Sequence, residues 1–322
     1  MLDVDTGIDD TLALLYAALH PAVELVAATA VWGNVEVETA TRNTLHALAL
    51  AGADSVPVAP GAAGPLSGRA PVYAHHVHGA DGQGNAGDPS FAGAPAPLHA
   101  AEQIVACARA RAGELELVAT GPLTNLALAL GLCPALPRLV RGVTIMGGAA
   151  LAPGNVTPLA EANIWCDPEA AQAVFAADWL LTVVPLDVTM RTLISEPERQ
   201  RLLAAGGIAG YVGRILDFYF DFFAAEAFAE RAACMHDVLA VAVAAGTLEP
   251  TLMPTVQASV DSGEGPGRGQ TIFDLRGRYR GFPAQPGARC RVVLESDTGF
   301  AAPLVELLCA AGPSRIAADG HV

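Results

Sequence analysis

The chain reads as an α/β protein: an open, mostly parallel, doubly wound sheet with a Rossmann-like core and a small antiparallel C-terminal extension. Three observations predict it. Apolar, β-rich runs at 25–31, 115–119, 143–146 and 180–186 alternate with helix-like stretches at 37–51, 98–112 and 168–177, the pattern of a parallel sheet covered by helices. The runs do not alternate in polarity; LLTVVPL is apolar throughout, as strands buried on both faces must be. Finally, 322 residues, 52% of them hydrophobic, suffice for a sizeable core. With no internal repeat and no linker, a single domain over 1–322 is expected, and ligands in such sheets sit beyond the carboxyl ends of the strands.

The first element opens on LDVDTGIDDTLALL. Residues 2–5 alternate apolar and acidic like a strand end, Thr6-Gly7 turns, and 8–20 carries Leu and Ala at helical spacing before Pro21. Asp3 and Asp5 therefore share a strand face. Asp9 and Asp10 fall in the first helical turn, where the helix dipole favours carboxylates. That accounts for two acids, not four. Converging carboxylates raise one another's pKa or recruit a cation, and an all-oxygen ligand set points to Ca²⁺ or Mg²⁺ rather than zinc. The plainer alternative is one capping Asp with three solvated neighbours.

Each later strand is followed by polar residues that would face the same crevice: WGN with Asn34 after 25–31, TGPLTN after 115–119, and GGAALAPGNVTPLAEANIWCDPE after 143–146. Gly121-Pro122 can be a turn, and Thr124 and Asn125 can cap a helix. Asn155, Glu161 and Asn163 crowd a loop without apolar period, a set suited to hydroxyl recognition. The segment 60–97, with YAHHVHGADGQGN, has neither period and is expected to be a long mobile loop that serves as a lid. The uncharged stretch 117–137 is broken by Gly121-Pro122, so it reads as strand plus helix, not a membrane span.

Residues 208–229 read as a long helix with an aromatic stripe, Phe218, Tyr219, Phe222 and Phe223, expected to be core. ACMHDVLAVAVA sets His236 and Asp237 before an apolar helix, a candidate proton donor beside a candidate ligand. TVQASVDS, GQTIFDL and ARCRVVLES look like three strands, the first two joined by a Gly-rich turn, with a last helix from about Phe300.

A net charge of −15 argues against a nucleic-acid partner; a small polar molecule fits better. All 18 basic residues are Arg, which excludes a Schiff-base lysine and a Lys-dependent phosphate loop. Six scattered cysteines without a C-x-x-C pair indicate neither a zinc site nor a disulfide framework. Reduced thiols in the cytoplasm are expected, and no signal peptide precedes the acid motif.

In this order, DVDTGIDDTLAL, WGN, HGADG, TGPLTN, MGGAALAPGNVTPLAEANIWCDPEAA, HDVLAV and GRGQTIFD resemble the inosine-uridine-preferring nucleoside hydrolase family. The resemblance implies Ca²⁺-dependent hydrolysis of the N-glycosidic bond of ribonucleosides to ribose and free base. It implies metal ligation by Asp5, Asp10, Asp237 and the Thr120 carbonyl. Asp9, Asn34, Asn155, Glu161 and Asn163 match the sugar-binding set, Met146 a residue packed near the ribose, and His78 a His of the nearby loop. Asp5 and His236 match the catalytic pair, base and leaving-group activator. The family's tendency implies a homodimer or homotetramer.

Thr6, Ala162, Gln83 and Asn85 depart from the family pattern and leave the metal residues intact. With only Met1-Leu2 before its acids, the first strand is expected to be short for a central strand, as an internal or truncated start would leave it, and such shortness is costly to a sheet. Two rivals remain: a haloacid-dehalogenase-like phosphohydrolase using DVD as a D-x-D site, and a calcium-bound sugar-binding protein without turnover.

Overall fold

The structure is a computed structural model that describes residues 1–312. Its strands are β1 (Leu2–Val4), β2 (Ala28–Ala30), β3 (Val58–Pro60), β4 (Glu116–Ala119), β5 (Gly142–Met146), β6 (Leu181–Val184), β7 (Leu193–Ser195), β8 (Ala232–Cys234), β9 (Thr255–Val256), β10 (Ala258–Val260), β11 (Thr271–Phe273) and β12 (Cys290–Val292). Eight of them form one sheet in the order β3-β2-β1-β4-β5-β6-β12-β9. All neighbours run parallel except β12 and β9 at the edge.

Side chains on successive residues enter opposite layers. In β4, Leu117 and Ala119 join the core beneath the helices Ala100–Ala110, Thr124–Leu132 and Pro168–Ala176, whereas Val118 joins the core with Ile8–Leu19, Gly207–Glu226 and His236–Ala244. Burial on both faces removes any need for polar alternation, which explains the continuously apolar runs. The chain winds outward from β1 to β2 and β3 on one side and resumes with β4 on the other. The strand order thus reverses between β1 and β4, and a crevice opens there at the carboxyl ends.

Strand β1 is three residues long, yet it pairs on both sides, Leu2 opposite Ala28 and Val118. β2 is equally short, so 25–31 contains less strand than its composition predicts. Three-residue strands carry no readable period, and β3, β7 and β8 went unpredicted for that reason. Of the C-terminal strands, TVQASVDS splits: β9 pairs with β12, and β10 pairs antiparallel with β11. The third, β12, extends the main sheet parallel to β6, so the antiparallel extension is β9 at the edge plus the β10–β11 hairpin.

Within 60–97 the chain forms a helical turn at His75–His78 and a tight loop after it. The Asp81 carboxylate accepts the amides of Gln83, Asn85 and Gly87, and buried Gln83 bonds to Gly7, Thr11 and Tyr211. No helix among the described residues is long and apolar enough to cross a membrane.

Candidate active site

The strand ends deliver the acids to the crevice. Asp5 follows β1, Thr120 follows β4, and Asp9 and Asp10 occupy the first turn of the helix Ile8–Leu19. Asp10 does cap that helix: its Oδ2 accepts the Gly7 amide at 2.9 Å. It also accepts Asn34 Nδ2 at 3.1 Å and, on Oδ1, the Thr120 hydroxyl at 2.7 Å. Asp5 Oδ2 accepts the Asn34 amide at 2.8 Å, and a Cβ at Gly121 would lie 2.9 Å from the Asp5 carboxylate, so the backbone packs directly against it. Asp237 arrives from the first turn of His236–Ala244. Oxygens of Asp9, Asp10 and Asp237 come within 4.8 Å of one another. Asp5 sits against Asp10, and Asp9 against Asp237.

All four carboxylates are buried, and among the described residues no arginine pairs with them. Burial first, then mutual repulsion, pushes Asp5 and Asp237 well above the usual carboxylate range and Asp10 up to about 6. Buried Asp5 Oδ1 and Asp9 Oδ1 have no hydrogen-bond partner. Orphaned buried carboxylate oxygens beside an all-oxygen donor set fit a hard divalent cation.

Asp3 lies behind this group. Its Oδ1 accepts Thr29 Oγ1 at 2.6 Å and Asn125 Nδ2 at 2.8 Å, and burial lifts it to about 7. It is not part of the cavity wall, so DVD does not present two carboxylates to a phosphoryl group, and the phosphohydrolase rival is not favoured.

Above the acids opens a cavity of about 700 Å³, lined by Asp9, Asn34, His78, Thr120, Met146, Asn155, Glu161, Asn163, His236 and Asp237. Asp5 and Asp10 form the layer beneath rather than the wall itself. Glu161 caps the helix Ala162–Cys166: Oε1 accepts Asn163 N, and Oε2 accepts Gly148 N and Ile164 N. Burial outweighs those three bonds and raises it to about 7. Asn163 Nδ2 donates to the carbonyls of Thr120 at 2.7 Å and Met146 at 3.1 Å, which leaves its Oδ1 for a ligand. Asn155 Oδ1 accepts Ala162 N.

Burial disfavours the charged form of both histidines. His78 Nδ1 accepts the Ile8 amide at 3.1 Å, so the proton is on Nε2, and desolvation lowers its pKa to about 4. Its 3.8 Å approach to Asp9 is therefore not an ion pair. His236 Nδ1 meets Thr189 Oγ1 at 2.8 Å, and burial lowers its pKa as well.

The aromatic stripe is core only in part: Tyr219 and Phe223 are buried in the core and Phe218 packs against it, but the same helix face also reaches the cavity. Tyr219, Phe222 and Phe223 form one cavity wall, with His76, Met190 and Glu226, and Tyr219 Oη donates to Asp9 Oδ2 at 3.0 Å. Spacing at i, i+3 and i+4 marked a single helix face, but one face can meet a core or a cavity.

Residues 1–301 match the model of the inosine-uridine preferring nucleoside hydrolase family. The chain is 35% identical over 303 residues to an inosine-uridine preferring nucleoside hydrolase of Leishmania major, covering 92% of each. It is 39% identical over 224 residues to a probable uridine nucleosidase 2 of Arabidopsis thaliana, 69% of this chain and 70% of that protein. The solved purine-preferring ribonucleoside hydrolase of Gardnerella vaginalis superposes with a TM-score of 0.88 at 31% identity, covering 96% of this chain and 98% of that one. A protein whose sequence, fold and acid-floored cavity agree in this way belongs to the inosine-uridine preferring nucleoside hydrolase family and is an enzyme of that class.

Proposed function

We propose that this nucleoside hydrolase splits the N-glycosidic bond of ribonucleosides into ribose and free base with Ca²⁺ held by Asp5, Asp10, Asp237 and the Thr120 carbonyl oxygen. The observation that carries the reading is a cavity of small-molecule size whose wall combines the carboxylates of Asp9, Glu161 and Asp237 with the aromatic rings of Tyr219, Phe222 and Phe223. The ion, when bound, supplies the charge that acidifies a water beside the sugar. Asp5, whose buried Oδ1 has no hydrogen-bond partner, takes the proton as that water attacks.

Asp9, Asn34, Asn155, Glu161 and Asn163 grip the ribose hydroxyls, and Met146 packs beneath the ring. Carboxylates around the anomeric carbon favour the oxocarbenium-like charge of the transition state. The base lies toward Phe222 and Phe223. Thr189 holds His236 Nδ1, so Nε2 serves the departing base, while His78 donates from Nε2. The 60–97 segment, which contributes Ala74, His76, Val77 and His78 to the wall, acts as the lid.

The partner is thus a small ribonucleoside rather than nucleic acid or a membrane. A cytoplasmic setting agrees with six unpaired cysteines, and a homodimer or homotetramer is measurable by light scattering. The relatives' names span uridine, inosine and purine substrates, so the test is a panel of purine and pyrimidine ribonucleosides assayed for released ribose. No release from any of them overturns the proposal.

A further inference from the structure

We infer that Asp187 is a positioning residue for the sugar-gripping side of the cavity, an inference that rests on the ribose-binding role proposed for Asn155 and Glu161. Residues 147–155 leave β5 as irregular chain. Five consecutive amides there go to three side chains outside the loop. Glu161 Oε2 accepts Gly148 N at 2.9 Å and Thr271 Oγ1 accepts Ala149 N at 3.0 Å. Asp187 takes the next three: Oδ2 from Ala150 at 2.8 Å, and Oδ1 from Leu151 at 2.7 Å and Ala152 at 3.2 Å.

Asp187 is 9% exposed, and among the described residues its carboxylate joins no ion pair. Three backbone amides donate to its carboxylate, as in an anion nest, while Arg191 Nε donates to its main-chain carbonyl at 2.8 Å. It stands on the helical turn Leu186–Thr189 that follows β6. The loop it holds carries Asn155 to the cavity and supplies Gly148 N to Glu161. Releasing 150–152 therefore loosens two ribose contacts at once, although Asp187 itself touches no substrate.

The test compares wild type, Asp187→Asn and Thr271→Val by amide hydrogen exchange and by steady-state kinetics on the best ribonucleoside of the panel. Asparagine accepts on one atom only and turns an N–H toward an N–H, so exchange should quicken at 150–152. KM should rise about tenfold, about 1.4 kcal/mol of lost ribose binding, while kcat moves much less. Thr271→Val, which removes only the Ala149 pair and leaves the Asp187 bonds, should give a smaller rise, and Asp187→Glu, which keeps the carboxylate but displaces it from the three amides, serves if Asp187→Asn fails to fold and should raise KM in the same direction. Unchanged exchange, or faster exchange with KM within about twofold of wild type, overturns the inference; a purely structural role would lower Tm and leave KM alone. A wild type that releases no ribose refutes the proposed function instead, and exchange at 150–152 still judges the clamp.

Discussion

Replacing Asp3 by Asn should make the metal-free protein's stability less dependent on pH. Burial pushes the folded carboxyl up to about 7 from an ordinary 3.8, outweighing the bonds from Thr29 and Asn125. A raised acid binds its proton more tightly when folded. Its contribution to stability is therefore fully present below about pH 4, falls as pH rises toward 7, and is constant above. Roughly three pK units at 1.36 kcal/mol each give about 4 kcal/mol. Asn at this position keeps an acceptor for Thr29 and Asn125 but leaves its NH₂ where buried Oδ2 has no partner, a cost of about 1–3 kcal/mol that does not vary with pH. Urea midpoints of chelator-treated wild type and Asp3→Asn, followed by circular dichroism from pH 4.5 to 8, read the difference. The wild-type midpoint should fall relative to the variant's by an amount on the order of 1 M. Parallel profiles would show that Asp3 is ionised throughout and that the burial argument is wrong.

Asp5→Asn removes the proposed base and an anionic ligand together, so kcat should drop by about 10⁴-fold or more, well beyond the loss in Asp3→Asn; equal losses would show the base is misassigned. Prolonged chelation should abolish ribose release and lower Tm, with Ca²⁺ restoring both; full activity in protein shown metal-free by elemental analysis would refute the metal role. His236→Ala should slow inosine or uridine sharply and spare p-nitrophenyl riboside, whose leaving group needs no proton. Equal losses on both, with weaker calcium binding, would assign His236 to holding Asp237.

The parallel, doubly wound sheet was legible because its strongest strands, β4 to β6, are apolar on both faces and lie between amphipathic helices. That signal is local. The structure brings Asp5 after β1 and Asn34 after β2 to the crevice, as residue type and strand-end position predict, whereas Thr120 and Met146 entered only through the family resemblance. Chemistry that needs oxygen donors or hydroxyl recognition restricts side chains to a few types, and a turn after a strand restricts where they point.

Packing decided the rest. Asp9 and Asp10 are neighbours in sequence, but only the approach of the helix His236–Ala244 turns them and Asp237 into one group. Helical period put Tyr219, Phe222 and Phe223 on one face, and only the tertiary structure shows that face meeting a cavity. Asp187 carried no pattern of its own, since a side chain bonding to backbone amides of a loop some 35 residues away leaves no periodic trace. Period and residue type act within a few residues along the chain, whereas the partner of each face is chosen by contacts across the whole fold.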